Sequence, residues 1–174
     1  MDAETETTVW SGNFIAAKTR GKWEYVSRAR GIKAAVILAI DAEKHVVLVE
    51  QFRVPLGRSC IELPAGLIGD HGEDEDAAVA ANRELEEETG YRAARMEVIG
   101  EFYSSPGMVT ESFTLLRARE LTQVGPGGGV DGEDITVHRV PLAGIERFIS
   151  ASRARGVAID VRLLMLLGNR ILEG

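Results

Sequence analysis

Short apolar runs alternate with polar, glycine-containing breaks along most of the chain, which predicts many strands and few helices. The run 32–40, which contains KAAVILAI, has almost no polar position and therefore predicts a central strand buried on both faces. The run 45–51, HVVLVEQ, follows after a short turn, so the two runs together predict a hairpin. The same reasoning predicts further strands at 8–17, 22–28, 95–102, 113–118 and 135–140.

Three segments show helical character instead, and the first of them carries the most information. Residues 76–89 are rich in Ala and Glu, contain no Pro and end before Gly90, a residue type that commonly caps helices. Its apolar residues at helical spacing predict a face packed on the core, formed by Ala78, Ala81 and Leu85. The other two helices are predicted at 141–152 and 160–172. Strands and helices in this mixture indicate a mixed α+β fold.

The first thirty residues hold a large share of the aromatic side chains, namely Trp10, Phe14, Trp23 and Tyr25. Two strands joined at Arg20-Gly21 predict a hairpin, and an isolated hairpin is marginally stable in water. It therefore packs either on its own domain or across a two-fold axis, and we expect a homodimer. The chain then divides into an N-terminal hairpin and dimerisation segment, 1–30, and a main domain, 31–174.

Composition and charge narrow the classes of function. A chain of 174 residues fits one domain with a full-sized core, and a net charge of −7 argues against a nucleic-acid partner. No run of 18 apolar residues exists and the N-terminus is acidic, so we expect neither a membrane span nor a signal peptide. Cys60 is the only cysteine, which excludes an intrachain disulfide and leads us to expect a cytoplasmic protein.

An acidic cluster on the first helix indicates metal chemistry. Glu84, Glu87 and Glu88 are spaced i, i+3 and i+4, so their carboxylates share one helix face and repel each other. A divalent cation relieves this repulsion, and oxygen-only ligands suit Mg²⁺, with Mn²⁺ as a possible substitute. The preceding LPAG segment, read as a strand end and tight turn, offers the Ala65 carbonyl as another ligand. The alternative is that such a helix simply presents a solvated acidic face.

The spacing of these acids resembles the Nudix box. The match begins at Gly69, and five residues separate it from Glu75. After seven further residues comes the segment Arg83-Glu84-Leu85-Glu86-Glu87-Glu88-Thr89-Gly90. Tyr91 departs from the pattern, since the family usually has an aliphatic residue there. In many members the box glycine directly follows Pro-Ala, which here is Gly66, and this indicates a three-residue insertion in the loop.

Four other segments resemble the ADP-ribose pyrophosphatase subgroup of this family. WEYVSR matches an N-terminal segment that is exchanged between subunits and grips adenine, which makes Trp23 and Glu24 candidate binding residues. QFRVP and ELPAG match segments near the substrate and add Arg53 and Glu62. For Arg53 the alternative is an ordinary ion pair. The SPG loop ends at Glu111, which matches a glutamate that activates water, the alternative being an exposed acid on a turn.

The resemblance implies an α/β/α sandwich and Mg²⁺-dependent hydrolysis of a nucleoside diphosphate sugar. ADP-ribose would give AMP and ribose 5-phosphate. Glu84 and Glu88 would be the main metal ligands and Glu111 would position the water, while Arg83 holds a neighbouring glutamate. Hydrolysis of GDP-mannose or another nucleotide sugar, and a ligand sensor without turnover, remain alternatives. The glycine-rich segment 123–134 carries Asp131, Glu133 and Asp134, which either close over the metals or are solvated acids.

Overall fold

The computed structural model describes residues 5–29, 33–68, 76–130 and 132–173 of the chain. Most strands that the apolar pattern predicts are present, and several are longer than predicted. The strands of the described residues are β1 Glu6–Ser11, β2 Ile15–Arg20, β3 Trp23–Arg28, β4 Lys33–Ala39, β5 His45–Arg53, β6 Arg58–Glu62, β7 Ala65–Ile68, β8 Tyr91–Tyr103, β9 Ser112–Gln123, β10 Thr136–Pro141 and β11 Ala158–Ile159.

The helices of the described residues are fewer than the strands. The α-helices are α1 Ala77–Thr89, α2 Ile145–Ala154 and α3 Gly168–Glu173, and 3₁₀ turns occupy Val54–Leu56, Leu142–Gly144 and Val161–Leu167. The helix predicted at 160–172 therefore begins as a 3₁₀ segment and becomes α-helical only at Gly168. Among the described residues, no helix combines the length and the apolar character that crossing a membrane requires.

Two mixed four-stranded sheets form the centre of the molecule. One has the strand order β7-β4-β9-β8, in which β4 pairs with β9 in parallel and with β7 antiparallel. The other has the order β10-β5-β6-β11, in which only the β6–β11 pair is parallel. Strand β4 thus lies inside its sheet, as its continuous apolar run predicts.

The core lies on both faces of β4. Ala35 and Ile37 point to one side and pack with Ala81 and Leu85 of α1. Val36 points to the other side, where residues of β5, β6, α2 and the last 3₁₀ segment complete a second cluster, including Leu48, Ile61, Ile149 and Leu163. Helices therefore cover the sheets from both sides, which confirms the predicted α/β/α sandwich.

The predicted N-terminal hairpin with its turn at Arg20-Gly21 is present as the antiparallel pair β2–β3, but its first strand and the predicted β4–β5 hairpin need correction. The segment 8–17 is not one strand, because the chain turns at Gly12 and forms two strands, so the N-terminal unit is a three-stranded antiparallel sheet β1-β2-β3. Strands β4 and β5 share only the Ile40–Val46 bridge and then enter different sheets. The reason is that β4 pairs with β7 on one edge and with β9 on the other, which leaves no edge for β5.

Helix α1 has well-defined ends, as its sequence predicts. The Asp76 carboxylate accepts hydrogen bonds from the backbone N–H groups of Ala78 at 2.8 Å and Val79 at 3.4 Å. Gly90 ends the helix in the left-handed conformation with φ of 72°. The helix is therefore fixed at both ends, and the acids of its last two turns have defined positions.

Candidate active site

Glu88 is the most deeply buried acid of the predicted metal site. It stands in the last turn of α1 and is only 7% exposed. Its Oε2 accepts a hydrogen bond of 3.0 Å from the backbone N–H of Ala65, at the start of β7. Burial, opposed by the hydrogen bond from Ala65 N–H and assisted by the charges of Glu84 and Glu133, raises the pKa of Glu88 to about 8. Without a cation, this carboxyl therefore holds a proton at neutral pH.

Glu84 lies one helical turn before Glu88 and faces the same strand. A Cβ built on Gly66 would come within 2.1 Å of the Glu84 Cγ and Cδ atoms, so only glycine leaves room for this side chain. Gly66 is not the turn residue that the sequence predicts, because it lies within β7 and pairs with Ala35 of β4. Burial also raises the pKa of Glu84, while the neighbouring Arg83 lowers it.

Arg83 holds two of the three helix acids. Its Nη1 lies 2.9 Å from Oε1 of Glu84 and 3.2 Å from Oε2 of Glu87. The side chain of Glu87 is 36% exposed, compared with 18% for Glu84, so Glu87 stands at the outer side of the cluster. Arg83 is thus in contact with neighbouring glutamates, and its predicted role, to hold one of them in place, stays a prediction.

The glycine-rich loop after β9 caps the end of α1. Gly128 N–H donates to the Glu88 carbonyl at 2.9 Å and Gly129 N–H donates to the Glu87 carbonyl at 3.0 Å. A Cβ on Gly127, whose φ is +67°, would lie 2.4 Å from the Thr89 carbonyl carbon, so the loop approaches the helix as closely as backbones allow.

The same loop carries Glu133 towards the acids of α1. Burial is the largest cause of the raised pKa values of Glu84 and Glu88, and the negative charge of Glu133 adds to both. The Oε2 atom of Glu133 accepts a hydrogen bond of 3.2 Å from Val130 N–H, which folds the loop back on itself. Glu133 is exposed to solvent. An exposed carboxylate therefore acts electrostatically on both Glu84 and Glu88.

The chemistry of these donors fits a hard divalent cation. Two carboxylates with raised pKa values face one strand, and a third carboxylate adds to their electrostatic cost. Within the described ranges, no three acidic, His or Cys side chains lie close enough to form a complete cage. Mg²⁺ commonly binds through one or two protein carboxylates and takes its other ligands from water and phosphate. Glu84 and Glu88 suit that mode, with Glu87 and the Ala65 carbonyl as the further predicted ligands.

Arg53 and Glu62 form an ion pair beside this site. Arg53 Nε lies 2.6 Å from Glu62 Oε1, and Arg53 Nη2 lies 2.8 Å from Oε2. Glu62 is buried, with 4% exposure, whereas 43% of the Arg53 side chain remains exposed. The positive charge of Arg53 also acts on Glu88 and opposes the rise of its pKa. Of the two predicted substrate residues, Arg53 is therefore the accessible one.

Glu111 lies in a different environment from the helix acids. Its Oε1 accepts hydrogen bonds from Nε of Arg28 at 2.8 Å and from Nη2 of the same residue. Backbone bonds between Val26 and the loop, to Met108 O at 2.9 Å and from Thr110 N at 3.0 Å, tie this loop to β3. The assignment of Glu111 to the reacting water stays a prediction.

The N-terminal sheet and the SPG loop enclose a pocket of about 320 Å³. Trp23, which is 58% exposed, lines this pocket together with Tyr25, Arg20 and Glu6 of the sheet and with Pro106 and Val109 of the loop. Glu24 is exposed on β3 and is not among the lining residues. Of the two candidates from WEYVSR, Trp23 thus borders a cavity. The predicted box residues Gly69 and Glu75, and Asp131 of the glycine-rich loop, lie outside the described residues.

Comparison with known proteins identifies the family. The family model described as NUDIX domain matches residues 30–146. An uncharacterized Nudix hydrolase of Schizosaccharomyces pombe is 34% identical over 154 residues, which cover 81% of this chain and 73% of the relative. The chain therefore belongs to the Nudix family, and the resemblance of its acidic helix to the Nudix box is confirmed.

Other relatives carry names that specify a reaction. A GDP-mannose pyrophosphatase of Cronobacter sakazakii is 36% identical over 165 residues, covering 89% of this chain and 80% of the relative. An ADP-ribose pyrophosphatase of Bacillus subtilis is 43% identical over 89 residues, covering 51% of this chain and 46% of the relative. A crystal structure of an ADP compounds hydrolase has a TM-score of 0.72 at 22% identity, covering 97% of this chain and 92% of that chain, which supports the fold.

The buried position of Glu88 predicts an unusual pH dependence of stability in the metal-free protein. Its pKa is about 8 when folded, against an ordinary value of 4.5, so the folded state binds the proton more tightly than the unfolded state. Stability should be greatest below the unfolded pKa and fall as the pH rises to about 8, by on the order of 4 kcal/mol. Urea denaturation with a chelator present, repeated across this pH range, measures the effect.

Two variants of α1 isolate the contribution of Glu88. Glu88→Gln removes the titrating group and should flatten the profile. Glu86→Gln is the matched control, because Glu86 lies on the same helix but pairs with Arg92 in solvent at 2.8 Å. Parallel profiles for the wild type and Glu88→Gln would contradict the assignment.

Proposed function

We propose that this Nudix hydrolase cleaves the P–O–P bond of a nucleoside diphosphate sugar in a Mg²⁺-dependent reaction. ADP-ribose is the substrate we propose first, with AMP and ribose 5-phosphate as products. The observation that carries the proposal is a pair of carboxylates, the buried Glu88 and the half-buried Glu84, beside Arg53, whose side chain is 43% exposed. Such a pair suits a cation, and a guanidinium beside it suits a phosphate or ribose of the same ligand.

Each residue of the site has a role in this proposal. Bound Mg²⁺ would supply positive charge to the diphosphate and increase the acidity of a nearby water. Glu84 and Glu88 hold the cation, and Arg83 keeps Glu84 in place through its 2.9 Å contact. Arg53 offers N–H donors to the substrate. Trp23 offers an aromatic face to the nucleobase in the pocket it borders.

The reaction needs a group that accepts the proton of the attacking water. As the water oxygen bonds to one phosphorus, the bridging P–O bond breaks and a carboxylate takes the proton. Glu133 suits this role, because it is exposed and its charge acts on both Glu84 and Glu88. Glu111 is the alternative that the sequence suggests, although its carboxylate is paired with Arg28.

Two other functions remain as alternatives. A GDP-mannose pyrophosphatase is favoured by the relative of that name, which aligns with 89% of this chain. The carboxylate pair would be unchanged, and the enzymes would differ only in the residues around the base and sugar. A nucleotide sensor without turnover is less well supported, because Glu84, Glu87 and Glu88 are all present.

A substrate panel with product identification tests the proposal. With Mg²⁺ present, we expect AMP from ADP-ribose at a higher kcat/KM than GMP from GDP-mannose. Glu88→Gln should lower kcat by about 100-fold or more, because the main metal carboxylate is lost, while Glu86→Gln should retain activity. The proposal fails if no nucleoside diphosphate sugar is cleaved, or if Glu88→Gln is as active as the wild type.

Matched variants separate the two candidate bases. Glu133→Gln should reduce kcat by about 100-fold, since a positioned proton acceptor typically contributes at least that much. Glu111→Gln should mainly lower stability, because it removes the partner of Arg28 and weakens the link between the loop and β3. Single-turnover kinetics of both variants at saturating substrate make the comparison. The opposite ranking of the two effects would assign the role to Glu111.

We also propose that the protein is a homodimer built through its N-terminal sheet. All six residues of β1 are exposed, and Trp10 and Phe14 are 57% and 75% exposed, so the described part of the chain leaves this strand and the turn after it largely uncovered. Light scattering should give twice the chain mass of 18.9 kDa. Phe14→Glu should shift the mass towards that of the monomer. A wild-type monomer would contradict this proposal and leave the catalytic one intact.

A further inference from the structure

Four side chains of alternating charge form a continuous series of ion pairs near Glu84 and Glu88. Arg53 of β5 binds Glu62 of β6 through two hydrogen bonds, at 2.6 and 2.8 Å. The Nη2 atom of Arg162 lies 3.5 Å from Oε2 of the same Glu62. Arg162 in turn binds Asp160 through Nε at 2.6 Å and Nη2 at 2.7 Å. Glu62 is thus a buried acid shared by two arginines that are more than a hundred residues apart in sequence.

The C-terminal segment is fixed to β6 by its backbone. Strand β11 pairs in parallel with β6 through Ala158 and Ile159, and Asp160 N–H donates to the Ile61 carbonyl at 3.0 Å. These bonds bring Asp160 to the end of β6, next to Glu62. The position of the C-terminal segment is therefore set by the strand that carries Glu62.

Asp160 directs the Arg162 side chain. Its Oδ1 accepts the Arg162 backbone N–H at 2.8 Å, which starts the 3₁₀ turn, and also accepts Nε of the same residue. On its other side, the Arg162 guanidinium lies 5.6 Å from the centre of the Phe113 ring. Phe113 belongs to β9 of the other four-stranded sheet. The guanidinium is thus held between both sheets.

Arg162 is poorly placed to bind a ligand itself. Only 21% of its side chain is exposed, and its Nε and Nη2 atoms are engaged by Asp160 and Glu62. Arg53 is different, because 43% of its side chain is exposed. Its Nε and Nη2 bind Glu62, and no described residue engages its Nη1 through a side chain. The free edge of the Arg53 guanidinium therefore has an orientation that Glu62 determines.

We propose that Arg162 is a positioning residue, which holds Glu62 and thereby aims the free edge of Arg53 at the anionic part of the substrate. This inference rests on the proposed function. It adds a residue outside the Nudix box and outside the matched range 30–146 to the substrate site. The C-terminal segment then contributes to substrate affinity without contacting the substrate. An ordinary buried ion pair would contribute only to stability.

A double-mutant cycle distinguishes these roles. Arg162→Gln should raise KM by about tenfold and change kcat by no more than about twofold, since it disturbs ground-state binding by Arg53. Arg53→Gln should raise KM at least as much. In the Arg53→Gln background, Arg162→Gln should raise KM by less than about twofold, because the guanidinium it positions is absent. If the KM increases of the two single variants simply multiply in the double variant, the inference is overturned.

Two further variants provide the controls. Arg155→Gln removes an arginine of the same C-terminal region whose side chain is 56% exposed and binds Glu50 instead, and its KM should equal that of the wild type. Asp160→Asn weakens the hold on Arg162 but keeps the guanidinium, so KM should rise less than in Arg162→Gln. If Arg162→Gln does not fold, Asp160→Asn and Arg162→Lys replace it in the cycle. An unchanged KM in both would overturn the inference.

Binding measured without turnover separates this inference from the proposed function. Calorimetric titration with ADP-ribose in the presence of a chelator should give a dissociation constant about tenfold higher for Arg162→Gln than for the wild type. If the wild type hydrolyses ADP-ribose but the wild type and Arg162→Gln bind it with equal affinity, only the positioning role is overturned. A wild-type protein that neither cleaves nor binds nucleoside diphosphate sugars would overturn both.

Discussion

The placement of two carboxyl groups against strand β7, one buried and one half-buried, is the constraint on which the site depends. Glu88 accepts a hydrogen bond from Ala65 N–H, and Glu84 occupies the space that Gly66 leaves by lacking a side chain. Burial raises the pKa of both carboxyl groups, and the charge of Glu84 adds to the rise at Glu88, so ionising both in the free protein has an electrostatic cost. A divalent cation at this point would convert that electrostatic cost into affinity, which is why we place the chemistry here.

The rest of the fold holds this pair in position. The Asp76 and Gly90 caps fix the ends of α1, and the glycine-rich loop binds its last carbonyls while bringing Glu133 close. The guanidinium of Arg162 contacts both sheets, because it lies 3.5 Å from the buried Glu62 of β6 and 5.6 Å from the ring centre of Phe113 of β9. The helix caps, the glycine-rich loop and the ion pairs from Arg53 to Asp160 are separate sets of contacts. Each set fixes a different wall of the site.

The sequence predicts the parts of this structure that local spacing determines. The i, i+3, i+4 pattern predicts one face for the three glutamates, and Arg83 contacts two of them, Glu84 and Glu87. Gly90 marks the end of their helix, as observed. Contacts between distant residues were not predictable in the same way. Arg162 is one hundred residues from Glu62, and no local pattern distinguishes it from other surface arginines. The local sequence predicts a turn at Gly66, whereas the residue lies in β7 and leaves room for the Glu84 side chain. The local sequence does not show this requirement, because Glu84 belongs to another element.

Calorimetric titration of the chelator-treated protein with Mg²⁺ or Mn²⁺, near neutral pH and beside a nucleoside diphosphate, tests the central claim most directly. The account predicts cation uptake accompanied by proton release, since Glu88 must lose its proton to bind, and predicts that both signals decline in Glu88→Gln. Absence of cation uptake by the wild type, or uptake unaffected by Glu88→Gln, would contradict it.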